Sequence, residues 1–174
     1  NGGYVAMPDN QKFGLTNWTL QAWVYPDTLT NASLVIGRCV QSNVWNYSLG
    51  ITTNGRIIGT FTPGDLTAHV AVTSLVALVP GTWANVAATF DSSSGILLIY
   101  VDGVVRGERR TEKRPAISGV GEIWTRAGEG FDGMMDEVAV YDWSLSAAQL
   151  QETMDGATAG GTLAPICYYR FEDG

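Results

Sequence analysis

The sequence predicts an all-β fold, a jelly-roll-like sandwich of two antiparallel sheets with one short helix in the C-terminal region. Three observations carry this. Apolar residues come in short runs, many alternating with polar ones at the period of a half-buried strand. Turn-forming Gly, Pro, Asn and Asp recur roughly every 8–12 residues. Only one late stretch, Ser146 to Gly156, carries helix start and stop signals, so alternating strands and long helices are excluded.

The elements follow in order. Tyr4–Met7 opens as a strand and turns at Pro8-Asp9-Asn10. Trp18–Tyr25 alternates, with Trp18, Leu20, Ala22 and Val24 on one face, and stops at Pro26-Asp27. Ser33–Val40 is the next strand. Tyr47–Thr52 and Arg56–Thr62 pair as a hairpin through Asn54-Gly55, which tolerates positive φ. His69–Val79 has room for two short strands. Trp83–Phe90 follows Pro80-Gly81, and Ile96–Val101 turns through Asp102-Gly103 into Val104–Arg109. Arg110–Pro115 is a basic loop, and Gly121–Thr125 is a further strand.

In Phe131–Leu150, Val138 and Val140 lie on one strand face, with Glu137, Ala139 and Tyr141 on the other. Ser146 and Gln149 form a capping box, flanked by Leu145 and Leu150 at hydrophobic-staple positions. Gly156 ends the helix. The tail, residues 156–174, crosses the surface to a last strand, Ile166–Phe171.

At 174 residues, 45% hydrophobic and 10% aromatic, the chain reads as one domain, residues 1–174, and disorder is excluded. No apolar run is long enough for a membrane-spanning helix, so no membrane insertion is expected. A net charge of −7 argues against nucleic acid as partner. The charge is uneven. Five cations, Arg106, Arg109, Arg110, Lys113 and Arg114, fall together, while ten acids and only two bases follow from Gly119 onward. The basic cluster is a candidate site for a sulfated or uronic glycan, or for the acidic third of a neighbouring copy. The alternative is a solvated hairpin end.

Cys39 and Cys167 have no CxxC or His-rich company, so zinc is not expected. Asn17-Trp-Thr, Asn31-Ala-Ser and Asn46-Tyr-Ser are glycosylation sequons, which point to an extracellular or cell-surface setting. In that setting a Cys39–Cys167 disulfide competes with two buried thiols.

Trp83–Val105 resembles the Trp-x-x-Val-Ala…Tyr-Val-Asp-Gly hairpin of laminin-G-like domains in the concanavalin-A-like superfamily. Phe131–Leu150 resembles the closing Asp-Gly-x-x-Asp-Glu-Val-x-x-Tyr…Leu-Ser segment of the same domains, which recurs in pentraxins. YVAMPD and WTLQAWVYPD match their early strands. The resemblance implies the sandwich, but it spans lectins, accessory domains, adhesins and structural fibres. Relatives usually begin one strand earlier. Here CYYRFEDG stands at the end instead, so the tail either completes this domain, the preferred reading, or is donated to a neighbouring repeat.

The resemblance also implies a ligand set. Relatives often hold calcium near the closing strand, where Asp132 and Asp136 match; Asp9 is a third candidate if the chain ends meet. Calcium is therefore the cofactor candidate, against the reading of Asp132-Gly133 as a plain turn. Carbohydrate is the expected ligand, with Trp45, Asn46, Tyr47 and Trp124 as candidate contacts and core packing as the alternative for each ring. Trp18, Trp23 and Trp83 fit core positions. Catalysis is not expected. The single histidine, His69, sits in an apolar stretch, and the Glu-x-Asp-x-x-Glu string of glycosidases on this sandwich does not occur. The first functional expectation is an extracellular, non-catalytic glycan-binding or adhesion module, part of a larger protein. The second is a structural repeat linked through the terminal strand to neighbouring protein domains.

Overall fold

A computed structural model describes residues 3–8, 10–119, 124–157 and 163–170. The strands are β1 (Val5–Met7), β2 (Trp18–Pro26), β3 (Ser33–Gln41), β4 (Val44–Ile51), β5 (Arg56–Phe61) and β6 (Val70–Ala77). There follow β7 (Ala84–Asp91), β8 (Ile96–Val101), β9 (Val104–Arg110), β10 (Trp124–Ala127) and β11 (Gly133–Tyr141). Helix α1 (Ala147–Glu152) and strand β12 (Cys167–Tyr169) close the chain. Two six-stranded antiparallel sheets result: β1-β10-β3-β4-β5-β6 and β12-β11-β2-β7-β8-β9.

The core lies between the sheets. Trp18, Leu20, Ala22 and Val24 on β2 point into it, as their alternation requires. Four rings run through it from the first sheet to the second and back: Tyr47 to Trp18 at 6.1 Å, Trp18 to Phe90 at 6.0 Å, and Phe90 to Phe61 at 4.7 Å. These are favourable aromatic separations.

Local chemistry sets the connections. Asp102 and Gly103 both take positive φ, 51° and 72°, so β8 and β9 meet in the two-residue turn expected of them. At Asn54-Gly55 only the glycine does, at 74°, and Gly55 N–H donates to Thr52 O, giving a longer loop than a two-residue turn. His69–Val79 holds one strand, β6, instead of two; Ser74 turns its Oγ to accept from Ile57 N–H, so the ladder bends without breaking. The strand expected at Gly121–Thr125 runs Trp124–Ala127 among the described residues.

β11 carries an irregularity. Its register to β2 slips between Asp136 and Ala139, and Glu137 takes φ 49°. Beyond the slip, Val138 and Val140 enter the core while Ala139 and Tyr141 face outward. The Ser146–Gln149 capping box is present, and Leu145 and Leu150 are buried in one cluster. β12 pairs with β11 in the same chain, Val138 opposite Tyr169 and Val140 opposite Cys167. No helix among the described residues is long and apolar enough to cross a membrane.

Candidate functional site

The two outer sheet faces differ. On the second sheet, Ala87, Tyr100, Ala139 and Tyr141 are covered by α1 and its flanks through Leu145, Leu150 and Leu163. Polar clamps fix that cover. Thr19 Oγ1 donates to Trp143 O and accepts from Leu145 N–H, both at 2.8 Å. Gln21 bonds Asn85 Oδ1 at 3.0 Å and accepts from Thr153 Oγ1 at 2.8 Å.

On the first sheet a row of large side chains stands half-exposed. Trp45 and Trp124 meet edge to face, centroids 5.2 Å apart. The Arg126 guanidinium lies 4.3 Å from the Trp124 ring and 4.5 Å from the Tyr4 ring. Glu129 holds it from the side at 3.3 Å. The register explains the row. Trp124 and Arg126 are two apart on β10 and so share a face. Trp124 and Trp45 both pair with Cys39 of β3, and Arg126 pairs with Gly37. Gly37 lets the Trp45 ring lie close over β3, since a Cβ there would stand 3.0 Å from that ring.

The other two expected carbohydrate contacts are corrected. Tyr47 is fully buried and packs on Trp18. Asn46 is fully buried as well, because the β3–β4 register slips beside it. Its Oδ1 accepts from Leu15 N–H at 2.9 Å and its Nδ2 donates to Leu15 O at 2.8 Å. Asn46 therefore cannot carry a glycan in the folded chain either. Of the other sequons, Asn31 is exposed, while Asn17 is half-buried and accepts from Ser92 N–H and Oγ at 2.7 Å.

The cysteines do not pair. Both are free thiols, on strands of different sheets: Cys39 Sγ donates to Gln41 O, and Cys167 Sγ lies 3.6 Å from Met7 Sδ. Burial pushes the Cys167 thiol pKa up.

The five cations of the basic segment do not converge. Arg110 pairs with Glu108 at 3.1 Å, and Arg109 donates to Ala71 O at 3.2 Å. Arg114 donates to Glu112 O and Lys113 O, and Lys113 pairs with Asp65. Arg106 stays half-exposed on β9. The Lys113 ammonium, with help from the Thr67 hydroxyl, holds the Asp65 carboxyl down to about 2, against 3.8 ordinarily. A lowered folded pKa means the pairing is complete above 3.8 and is lost as pH falls through about 2. In an NMR titration, Lys113→Met is expected to move the Asp65 midpoint back up toward 3.8; an unmoved midpoint would reject the pairing.

Two of the three calcium candidates, Asp132 and Asp136, lie among the described residues. Asp132 Oδ2 accepts from Thr28 Oγ1 at 2.8 Å, and Asp136 Oδ1 accepts from Glu137 N–H at 2.7 Å. No group of three or more His, Cys, Asp or Glu gathers among the described residues, and Asp9 lies outside them. A calcium ion takes roughly 6–8 oxygens, so these two carboxylates do not fit one unaided. His69 is exposed, its Nε2 3.2 Å from Asn43 O.

Sequence reasoning missed three participants. Trp83 is not core; it stands half-exposed against Tyr25 at 5.6 Å. It borders a hollow of about 770 Å³ that Tyr4, Phe131, Met134 and Asp136 also line. Arg126 was detectable from its i, i+2 spacing to Trp124. Tyr4 was not, because its approach to Arg126 depends on β1 pairing with β10 across the whole chain.

A model of the concanavalin A-like lectin/glucanases superfamily matches residues 1–151. Among solved structures, the chain resembles a native heptameric SAP-like pentraxin from Limulus polyphemus, at TM-score 0.60 and 15% identity, over 92% of this chain and 81% of that one. It also resembles the Ruminococcus gnavus IT-sialidase CBM40 bound to α2,3-sialyllactose, at TM-score 0.70 and 15% identity, over 87% and 92%. A third is domain 4 of AbnA, a GH43 extracellular arabinanase from Geobacillus stearothermophilus, in complex with arabinotriose. There the TM-score is 0.66 and identity 16%, over 86% and 71%. Identities this low establish the shared fold.

Proposed function

The chain belongs to the concanavalin A-like lectin/glucanases superfamily, and from that premise we propose that it is a non-catalytic carbohydrate-binding module acting outside the cell. One observation carries the reading: the Trp45–Trp124 pair on the sheet face that α1 leaves open. Sugars offer CH-rich faces to aromatic rings and hydroxyl edges to planar polar groups. The row supplies rings in Trp45, Trp124 and Tyr4 and a planar donor in Arg126. Among its structural neighbours, a CBM40 bound to sialyllactose and an arabinanase domain in complex with arabinotriose support the reading. Because Glu129 balances Arg126, a neutral glycan suits the face better than an acidic one.

A glycan array is the test. The wild-type chain is expected to bind a restricted set of glycans, and Trp124→Ala to weaken that binding about tenfold or more while the chain stays folded. Silence across the array, or full binding by a folded Trp45→Ala, Trp124→Ala double variant, would overturn the proposal.

A further inference from the structure

Tyr4 belongs to two features at once. Its ring covers Arg126 at the edge of the tryptophan row, and the same residue lines the hollow at the end of the sandwich. Around that hollow three large apolar side chains are solvent-exposed: Tyr4 at 48%, Trp83 at 45% and Met134 at 52%. Scattered exposed apolar residues are ordinary, but three around one concavity mark a binding surface. Trp83 is steadied by Tyr25 at 5.6 Å, so one platform is held in place. The hollow, about 770 Å³, is within the roughly 300–1,000 Å³ of ligand pockets. Asp136 supplies a carboxylate there that can accept from hydroxyl groups.

We infer that the tryptophan row and the hollow form one continuous track, and that the ligand is a neutral oligosaccharide chain bound along several sugar units. The inference rests on the carbohydrate-binding reading and adds the ligand's length and charge. A single terminal sugar needs one aromatic platform. Here platforms stand at two places, Trp45 with Trp124 and then Trp83, and Arg126 and Tyr4 bridge from the first toward the second. Charge selects the same class. Glu129 already answers Arg126 and so weakens its pull on a carboxylate or sulfate.

Calorimetric titration with arabinan, xylan and β-glucan ladders, from monosaccharide to hexasaccharide, tests it. One ladder is expected to gain about tenfold or more in affinity between its disaccharide and its longest member. Trp83→Ala is expected to remove that gain, Trp83→Tyr to restore most of it, and Trp124→Ala to weaken ligands of every length. Affinity independent of length, or a length gain that survives Trp83→Ala, overturns the continuous track and leaves the carbohydrate-binding reading standing. Binding to no ladder and to no glycan on the array overturns both. Preference for a sialylated or uronic chain over the neutral ladders overturns the charge assignment.

Discussion

Phe90→Ala is expected to lower the free energy of unfolding by about 4 kcal/mol and the melting temperature by roughly 10 °C. Phe90 is fully buried on β7 and touches rings from both sheets, Trp18 at 6.0 Å and Phe61 at 4.7 Å. Removing it takes away the transfer energy of the ring and opens a cavity. The cavity cannot close easily, because the backbones of both sheets are fixed by their ladders. One ring contact within the sheet, to Trp18, and one between the sheets, to Phe61, would be lost together, so the cost belongs at the upper part of the large-to-small range. Phe90→Leu, which keeps most of the volume, is expected to recover much of the loss. Urea unfolding followed by tryptophan fluorescence measures both. A loss for Phe90→Ala below about 1 kcal/mol would show that the sheets repack and that the ring chain is not a joint between them.

Much of that core was legible from period alone. Trp18, Leu20, Ala22 and Val24 alternate, and alternation is all a strand needs to put one face inside. The Asp102-Gly103 turn and the Ser146–Gln149 capping box were legible for a similar reason, since their chemistry is complete within a few residues. Where pairing slips, the alternation fails. At Asn46 the β3–β4 slip turns an amide inward onto Leu15, although the sequence shows only a polar residue between two aromatics. At Glu137 the β11 slip interrupts an alternation that had placed Glu137 with Ala139 and Tyr141.

The site was legible in pieces. Trp45 and Trp124 stood out as candidate carbohydrate contacts, but nothing local says that they touch. Their contact requires β10 to lie against β3, a pairing between distant parts of the chain, and Gly37 to give the Trp45 ring room over β3. Which face stays open is also a non-local matter, decided by where α1 packs. Trp83 misled in the opposite direction. Its position in a matching motif suggested core, yet it precedes β7 and stands exposed against the Tyr25 ring. The basic segment reads as one patch in the sequence, whereas in the fold Arg109, Arg110, Lys113 and Arg114 each find a separate partner.

Gly133→Ala is expected to destabilise the fold by about 4 kcal/mol, lowering the melting temperature by roughly 10 °C. In the sequence, Asp132-Gly133 reads as a turn or as half of a calcium loop; the geometry gives the glycine a different reason. Gly133 pairs with Pro26 at the start of the β11–β2 ladder and takes φ 138°, a region that side chains rarely enter. A Cβ there would stand 2.0 Å from the Tyr25 carbonyl oxygen and 2.9 Å from Asp27 N. Both neighbours are backbone, so no side chain can swing aside. The clash can be relieved only by drawing β11 away from β2. That movement would break the Asp27 N–H bond to Asp132 O, 2.9 Å in the native chain, and disturb Met134 and Met135 at the hollow. Gly3→Ala, where an added Cβ meets nothing within 4 Å, is the control and is expected to leave the melting temperature unchanged. If Gly133→Ala melts with the control, the close approach of the two strands is not required for folding, and the Asp-Gly pair must be explained by its chemistry instead of its backbone.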